Sequence, residues 1–233
     1  MKRFSLILFA LFLSAIVFGQ GKNSINGAYL AKDGNTNYLW LLKDGYSSYT
    51  IYGPDSYLGT SGGKFHYDGK NIIIKIEYND TQADKIGTTK TMTFKGDKDQ
   101  VVADGLTFKR LPAIKQELDG LWRITGRKED EKINQIPQGD RKTIKILVDG
   151  YFQWVAINPA EKTFFGSGGG TYSFKDGKYV ENILFFSRDN SRVGATLKFD
   201  GKVNKGVWEH SGLSSKGAPI FEIWTREKKY FYL

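Results

Sequence analysis

The chain has 233 residues, a net charge of +9, 15% aromatic residues and no cysteine. The absence of cysteine excludes disulfides, thiolate nucleophiles and thiolate metal ligands. The basic residues are spread among acidic ones, with no basic run longer than two residues. This pattern is typical of a solvated surface, so we expect no nucleic-acid partner.

The first nineteen residues have the pattern of a secretory signal peptide. Lys2 and Arg3 precede an almost unbroken apolar run over residues 4–18, which is shorter than the roughly twenty residues that a membrane-spanning helix needs. A small residue, Gly19, stands where a signal peptidase reads the chain, which predicts cleavage before Gln20 rather than an uncleaved anchor. We therefore expect a periplasmic or secreted protein, with no transmembrane segment in the mature chain. Because no cysteine follows the apolar run, we do not expect a lipoprotein.

The first predicted domain, residues 20–112, is expected to be β-structure throughout. Runs of β-branched and aromatic residues alternate with turn residues, and no stretch has helical periodicity with caps. Asp44-Gly45 and Asp68-Gly69 separate such runs, and Asp-Gly pairs tolerate the positive φ of type I′ hairpin turns. The predicted strands are 26–31, 38–43, 46–52, 62–68, 71–78, 88–95, 99–103 and 105–110.

The second predicted domain, residues 113–233, begins after Pro112 interrupts the strand pattern. Three more Asp-Gly pairs predict hairpin turns in it: Asp149-Gly150, Asp176-Gly177 and Asp200-Gly201. The predicted strands are 120–126, 142–148, 151–157, 169–175, 178–187, 193–200, 203–210 and 219–227.

The two domains repeat one another, with five matching segments in the same order. The matches are 25–29 with 118–122, 44–46 with 149–151, 59–63 with 166–170, 68–70 with 176–178, and 108–110 with 224–226. About eight strands per unit, joined mostly by tight hairpins, predict two tandem small up-and-down β-barrels. A β-sandwich is the main alternative, but sandwiches usually need longer crossing connections.

The ends of the second unit resemble those of a lipocalin, or calycin, domain. Gly120 and Trp122 open its first strand as the Gly-x-Trp of that superfamily does, and Arg226 lies in its last strand. The resemblance implies that the guanidinium packs over the indole and closes one end of the barrel. The whole mature chain resembles exported lipocalin-like proteins. The first unit carries a weaker version of the signature: Gly27, Tyr29 and Arg110.

The first connection of the second unit is twelve residues longer than its counterpart, around Arg127 to Arg141. In lipocalins the corresponding loop covers the open mouth of the barrel. Long charged insertions are also commonly plain solvated loops. The sequence leaves both interpretations open.

Motifs that would carry chemistry are few. Residues 62–64 lack the spacing of a phosphate loop, and the glycine run that they share with residues 166–170 predicts a bend or bulge instead. The two histidines, His66 and His210, lie one in each unit and do not make a zinc site. His210 and Glu181 could converge across strands, although the spacing does not require it. We therefore expect no catalytic residues, no metal and no cofactor.

Aromatic residues crowd the second unit, and the interior of an eight-stranded barrel is either filled or holds one small ligand. We predict a non-enzymatic exported protein that binds a small apolar or amphipathic ligand in the second barrel. The alternative is a structural or interaction module of the cell envelope with a protein or glycan partner. A cavity would favour the ligand, a solid interior would favour the interaction module, and converging polar groups would be required for an enzyme. The candidate ligand-binding residues are Trp154, Tyr172, Phe185 and Trp208.

Overall fold

Two antiparallel sheets follow one another along the chain in the computed structural model, which describes residues 25–96, 99–129 and 132–227. Both sheets are barrel-like, which confirms the prediction of an all-β protein with two tandem barrels. The predicted signal peptide, residues 1–19, lies outside the described residues. Within the described part of the chain, no helix is both long and apolar enough to cross a membrane.

The first sheet contains nine strands in the order β6-β5-β4-β3-β2-β1-β9-β8-β7. Its end strands, β6 and β7, are separated by Phe94 alone, so the chain itself joins the two ends of the sheet. The sequence predicts one strand there, 88–95, and the structure corrects this to two short ones. The strands are β1 Gly27–Asp33, β2 Thr36–Lys43, β3 Tyr46–Tyr52, β4 Tyr57–Tyr67, β5 Asn71–Asn79, β6 Thr89–Thr93, β7 Lys95–Gly96, β8 Gln100–Ala103 and β9 Leu106–Arg110.

The second sheet has the order β11-β10-β12-β13-β14-β15-β16-β17-β18, and a further pairing of β10 with β18 closes it into a barrel. Strand β11 was not predicted. It pairs with the end of β10 and extends that strand into a hairpin beyond the barrel wall. The strands are β10 Gly120–Glu129, β11 Lys132–Gln135, β12 Lys142–Val148, β13 Tyr151–Asn158, β14 Thr163–Lys175, β15 Lys178–Phe186, β16 Thr196–Asn204, β17 Val207–Leu213 and β18 Pro219–Arg226.

The prediction of a turn at Asp200-Gly201 is wrong, because both residues lie inside β16. A Cβ on Gly201 would approach the Phe174 ring to 2.9 Å, so the glycine is needed for close packing and not for a turn. The true hairpin turn is Lys205-Gly206, whose φ values are 46° and 80°. Both residues of the predicted turns at 44–45, 149–150 and 176–177 do have positive φ.

A β-bulge in each unit decides which side chains face the barrel interior. Between Gly169 and Gly170 the register shifts by one residue on β15, and the shift between Gly62 and Gly63 places an equivalent bulge on β5. The predicted bend or bulge at the glycine runs is therefore confirmed. Because side chains alternate along a strand, one extra residue reverses the facing of every residue that follows.

The outer faces of the two barrels pack against each other in one apolar cluster. The cluster joins β2 and β3 of the first unit to β12, β13 and β15 of the second. The Asp-Gly turn of each unit also lies against the opening strand of the other. Asp149 Oδ2 lies 3.4 Å from the Ala28 backbone N–H, which donates to it, while Asp44 Oδ2 lies 3.4 Å from where a Cβ on Gly120 would be. The contact is therefore reciprocal, as expected for two copies of one unit.

The side chain of Gln153 is the polar centre of this interface and is 1% exposed. Its Oε1 accepts from Thr50 Oγ1 at 2.8 Å and from the Ser48 hydroxyl. Its Nε2 donates to Thr60 Oγ1 at 2.9 Å and to Ser167 Oγ at 2.8 Å. Every hydrogen-bonding position of the amide is thus used, so this buried polar group favours one arrangement of the two barrels.

Candidate ligand-binding cavity in the second barrel

One end of the second barrel is closed by the signature residues found in the sequence. The Arg226 guanidinium lies 4.2 Å from the centroid of the Trp122 ring and donates to Asp119 O at 2.6 Å and Glu117 O at 3.0 Å. A Cβ on Gly120 would lie 2.0 Å from Arg226 Nη1, and the φ angle of Gly120 is 150°. Gly120 is therefore required both by its backbone conformation and by the close approach of the arginine.

The first barrel is closed in the same way, with weaker stacking. The Arg110 guanidinium lies 5.7 Å from the Tyr29 ring centroid and donates to Asn26 O at 2.7 Å. A Cβ on Gly27 would lie 3.2 Å from Arg110 Nε. In each unit the signature glycine, aromatic residue and arginine are therefore in close proximity, with the arginine beside the ring and the glycine.

The other end of the second barrel opens into a cavity of about 640 Å³. A much smaller cavity, of about 70 Å³, lies in the described part of the first barrel. Part of the lining of the larger cavity comes from the hairpins β10–β11 and β17–β18 and from the connection that leads into β12, which contribute Arg127, Glu222 and Arg141 respectively. The insertion noted in the sequence thus contributes to the cavity wall. Its tip at 130–131 lies outside the described residues.

The first unit shows which residues occupy the equivalent positions in the other barrel. Trp122 pairs with Lys145 as Tyr29 pairs with Trp40, so Lys145 occupies the position of a buried tryptophan. In the same way, Tyr172 pairs with Glu181 as Phe65 pairs with Ile74, so Glu181 occupies the position of Ile74. A stable barrel can therefore hold apolar residues at both positions, and the second unit has charged ones.

Lys145 and Glu181 form a buried ion pair at the cavity floor. Lys145 Nζ lies 2.9 Å from Glu181 Oε1, with side-chain exposures of 4% and 6%. The ammonium is also surrounded by four aromatic rings at 5.0–5.6 Å, an arrangement that favours a cation. The Tyr179 hydroxyl donates to the same carboxylate oxygen at 2.8 Å, and burial together with Glu181 raises the pKa of Tyr179 well above its usual value.

His210 and Glu222 form a second polar group beside this pair. His210 Nδ1 lies 3.4 Å from Glu222 Oε2, but neither imidazole nitrogen has a hydrogen-bond partner within the described structure. Burial lowers the pKa of His210 and so favours the neutral ring. Burial alone would raise the pKa of Glu222, whereas His210 and the positive charges of Lys145 and Arg127 outweigh this effect and lower it.

The mouth of the cavity is basic. The Arg141 guanidinium lies 4.1 Å from the Phe165 ring centroid, and Arg188 Nε and Nη2 donate to Phe165 O at 2.9 and 2.6 Å. A Cβ on Gly166 would lie 2.5 Å from Arg188 Nε, so this glycine leaves room for the guanidinium. The cavity is lined by six basic and three acidic side chains. The basic ones are Arg127, Arg141, Lys145, Arg188, Arg192 and Lys216, and the acidic ones are Glu181, Asp189 and Glu222.

Of the four candidate ligand-binding residues, Trp154 lines the cavity, with its ring 5.6 Å from that of Phe186. Trp208 is fully buried beneath the floor, 4.9 Å from the Tyr179 ring. Tyr172 lies at the closed end and donates to Asp119 Oδ1 at 2.5 Å.

Phe185, the fourth candidate, packs in the interface between the barrels, 5.3 Å from the Tyr52 ring. By simple alternation from Glu181 it would face the interior, but the bulge on β15 reverses its direction. The structure thus brings one of the four predicted residues to the cavity.

The charged lining was not predicted as a site, although the repeat contains the signal for it. Lys145 stands among apolar strand residues at the position where the first unit has Trp40. Glu181 likewise stands at the position where the first unit has the apolar residue Ile74. His210 and Glu181, which the sequence allows to converge across strands, both line this cavity. No group of three or more metal-ligating side chains occurs within the described residues.

Neither protein-family models nor curated protein sequences give a match to this chain.

Proposed function

We propose that the protein is a non-enzymatic, exported lipocalin-like binding protein whose second barrel holds one small amphipathic molecule. The observation that carries this proposal is the cavity of about 640 Å³ in the second barrel. Its volume falls in the range of small-molecule sites, and such sites combine apolar walls with a few fixed polar groups.

The contrast between the two units supports a role for this cavity. The positions of Lys145 and Glu181 are filled by Trp40 and Ile74 in the first barrel, where these two residues border a cavity of about 70 Å³. Burying an ion pair is commonly no more stabilising than burying apolar residues of similar size. A charged floor is therefore not needed for the fold, which supports a role for it in binding.

The Nε2 atom of His210, which has no hydrogen-bond partner in the described structure, supports an amphipathic ligand and not a purely apolar one. His210 is 2% exposed, and buried polar groups without partners are costly. A hydroxyl, amide or carbonyl of a ligand would satisfy it, while the Trp154 and Phe186 rings offer apolar contact. Lys145 is already paired with Glu181, and Trp224 with Glu222, which supports binding over turnover.

Native mass spectrometry of the protein purified from its natural host tests this proposal. We expect one small molecule to accompany the folded protein and to be released on denaturation, and the mature chain to begin at Gln20. The variant Ala156→Phe, which places a ring in the cavity wall, should lose that mass. Finding no small molecule, together with no thermal shift against a panel of lipids and haem, would contradict the proposal and favour the interaction module.

A further inference from the structure

We infer that the ligand of the second barrel carries an anionic group, which Arg141 and Arg188 bind at the cavity mouth. This inference rests on the proposed function and specifies the chemical class of the ligand. It covers a carboxylate, sulfate or phosphate that belongs to the amphipathic molecule itself.

The two arginines are held in place without acidic partners. Arg141 stacks on the Phe165 ring, and Arg188 donates twice to the carbonyl oxygen of the same residue. Both line the cavity, and among the described residues neither guanidinium forms an ion pair. Because arginine presents several fixed N–H donors that match the geometry of carboxylate and phosphate, this pair is suited to an anion.

The two other arginines at the mouth already have acidic partners. Arg192 Nε donates to Asp189 Oδ2 at 3.1 Å, and Arg127 Nη2 lies 3.5 Å from Glu222 Oε1. Among the described residues, Arg141 and Arg188 are thus the arginines of the cavity lining that have no acidic partner. The excess of basic side chains along the cavity also attracts anions from solution.

The first unit again provides an internal comparison. Lys142 pairs with Ile157 as Asn37 pairs with Tyr52, so Arg141 and Thr36, one residue earlier in each unit, are counterparts. Thr81 and Arg188 are counterparts because each lies two residues after the end of an equivalent strand, β5 or β15. Gly59 leaves the same space beside Thr81 that Gly166 leaves beside Arg188. The repeated fold therefore does not require an arginine at either position, and both occur only at the mouth of the large cavity.

Calorimetric titration of the folded, mature protein with dodecanoate and with 1-dodecanol tests this inference. The two probes share a chain and differ in charge. We expect dodecanoate to bind at least about tenfold more tightly than dodecanol, with an advantage that decreases as salt is added. Inorganic phosphate, which has no apolar chain, should not displace dodecanoate.

The double variant Arg141→Gln/Arg188→Gln should remove the preference for dodecanoate and leave dodecanol binding unchanged. The matched control, Lys198→Gln/Lys202→Gln, removes the same charge from exposed positions on the outer face of β16 and should keep the preference. A thermal melt of each variant confirms that it is folded.

The outcomes separate the inference from the function on which it rests. Equal binding of the two probes, or a preference that survives in the arginine variant, overturns the anionic ligand and leaves the binding cavity in place. Displacement by inorganic phosphate overturns the assignment to an amphipathic anion. Binding of neither probe overturns the proposed function, and the inference with it.

Discussion

Removing the amine of the buried Lys145–Glu181 pair should destabilise the second barrel strongly. The two side chains are 4% and 6% exposed and their charged atoms lie 2.9 Å apart. Lys145→Met therefore leaves a desolvated carboxylate without its cation, and we expect a loss of about 3–5 kcal/mol in the free energy of unfolding. Glu181→Leu should cost a similar amount, because it leaves the ammonium without its anion.

Replacing both partners should cost less than replacing either one. The first unit folds with Trp40 and Ile74 at the equivalent positions, so the site accepts apolar side chains. In Lys145→Met/Glu181→Leu, the Tyr179 hydroxyl loses its acceptor, which costs about 1–3 kcal/mol. The double variant should therefore be more stable than either single variant.

Urea unfolding followed by both tryptophan fluorescence and far-UV circular dichroism measures these differences, with an unchanged denaturant slope as the test of comparability. The double-mutant cycle then isolates the coupling between the two charges. The reasoning is refuted if either single variant costs less than about 1 kcal/mol, or if the two single costs add in the double variant.

Three further changes have predicted effects. Because burial lowers the pKa of His210 below its ordinary 6.5, the unfolded chain takes up that proton first. Stability should therefore fall as pH decreases through 6.5, by at most about 1.4 kcal/mol per pH unit, and His210→Phe should remove this contribution in urea unfolding. Gly120→Ala should displace Arg226 from the closed end and cost about 1–3 kcal/mol of backbone strain alone, measured as a lower thermal midpoint. Gln153→Leu should cost about 1–3 kcal/mol, because four buried hydroxyls each lose one hydrogen-bond partner while keeping another, and it should make the two barrels unfold in separate calorimetric transitions.

Each of these changes has a control of the same residue type at an exposed position. They are His66→Phe, Gly139→Ala and Gln135→Leu. A pH slope that persists in His210→Phe would contradict the histidine argument. A Gly120→Ala protein as stable as Gly139→Ala would contradict the role of the close approach. A single cooperative transition in Gln153→Leu would show that the amide does not couple the barrels.

Local signals were sufficient to predict the fold class and the repeat. Alternating apolar residues and Asp-Gly pairs specify strands and hairpins directly, and the glycine runs mark the bulges. Asp200-Gly201 misled this reasoning because a glycine in a barrel strand also serves close packing, here against Phe174. Lys205-Gly206 is a less typical turn sequence and was missed.

The candidate site was less predictable, because side-chain direction depends on pairing between strands. Phe185 turns away from the interior at a bulge whose position depends on the partner strand. Trp208 and Tyr172 face inward but lie below the cavity or at the closed end. The basic mouth combines residues from distant strands, Arg141 and Arg188, which only the closed barrel brings to one place.

The central claim is that the second barrel, and not the first, holds a ligand in its cavity. Calorimetric titration with dodecanoate of the wild-type protein and of two cavity-blocking variants, Ala156→Phe and Thr143→Phe, tests it most directly. Both positions line the cavity and pair with each other across β12 and β13. We predict one bound molecule in the wild-type protein and greatly weakened binding in both folded variants. Unchanged affinity and stoichiometry in the two variants would contradict the account.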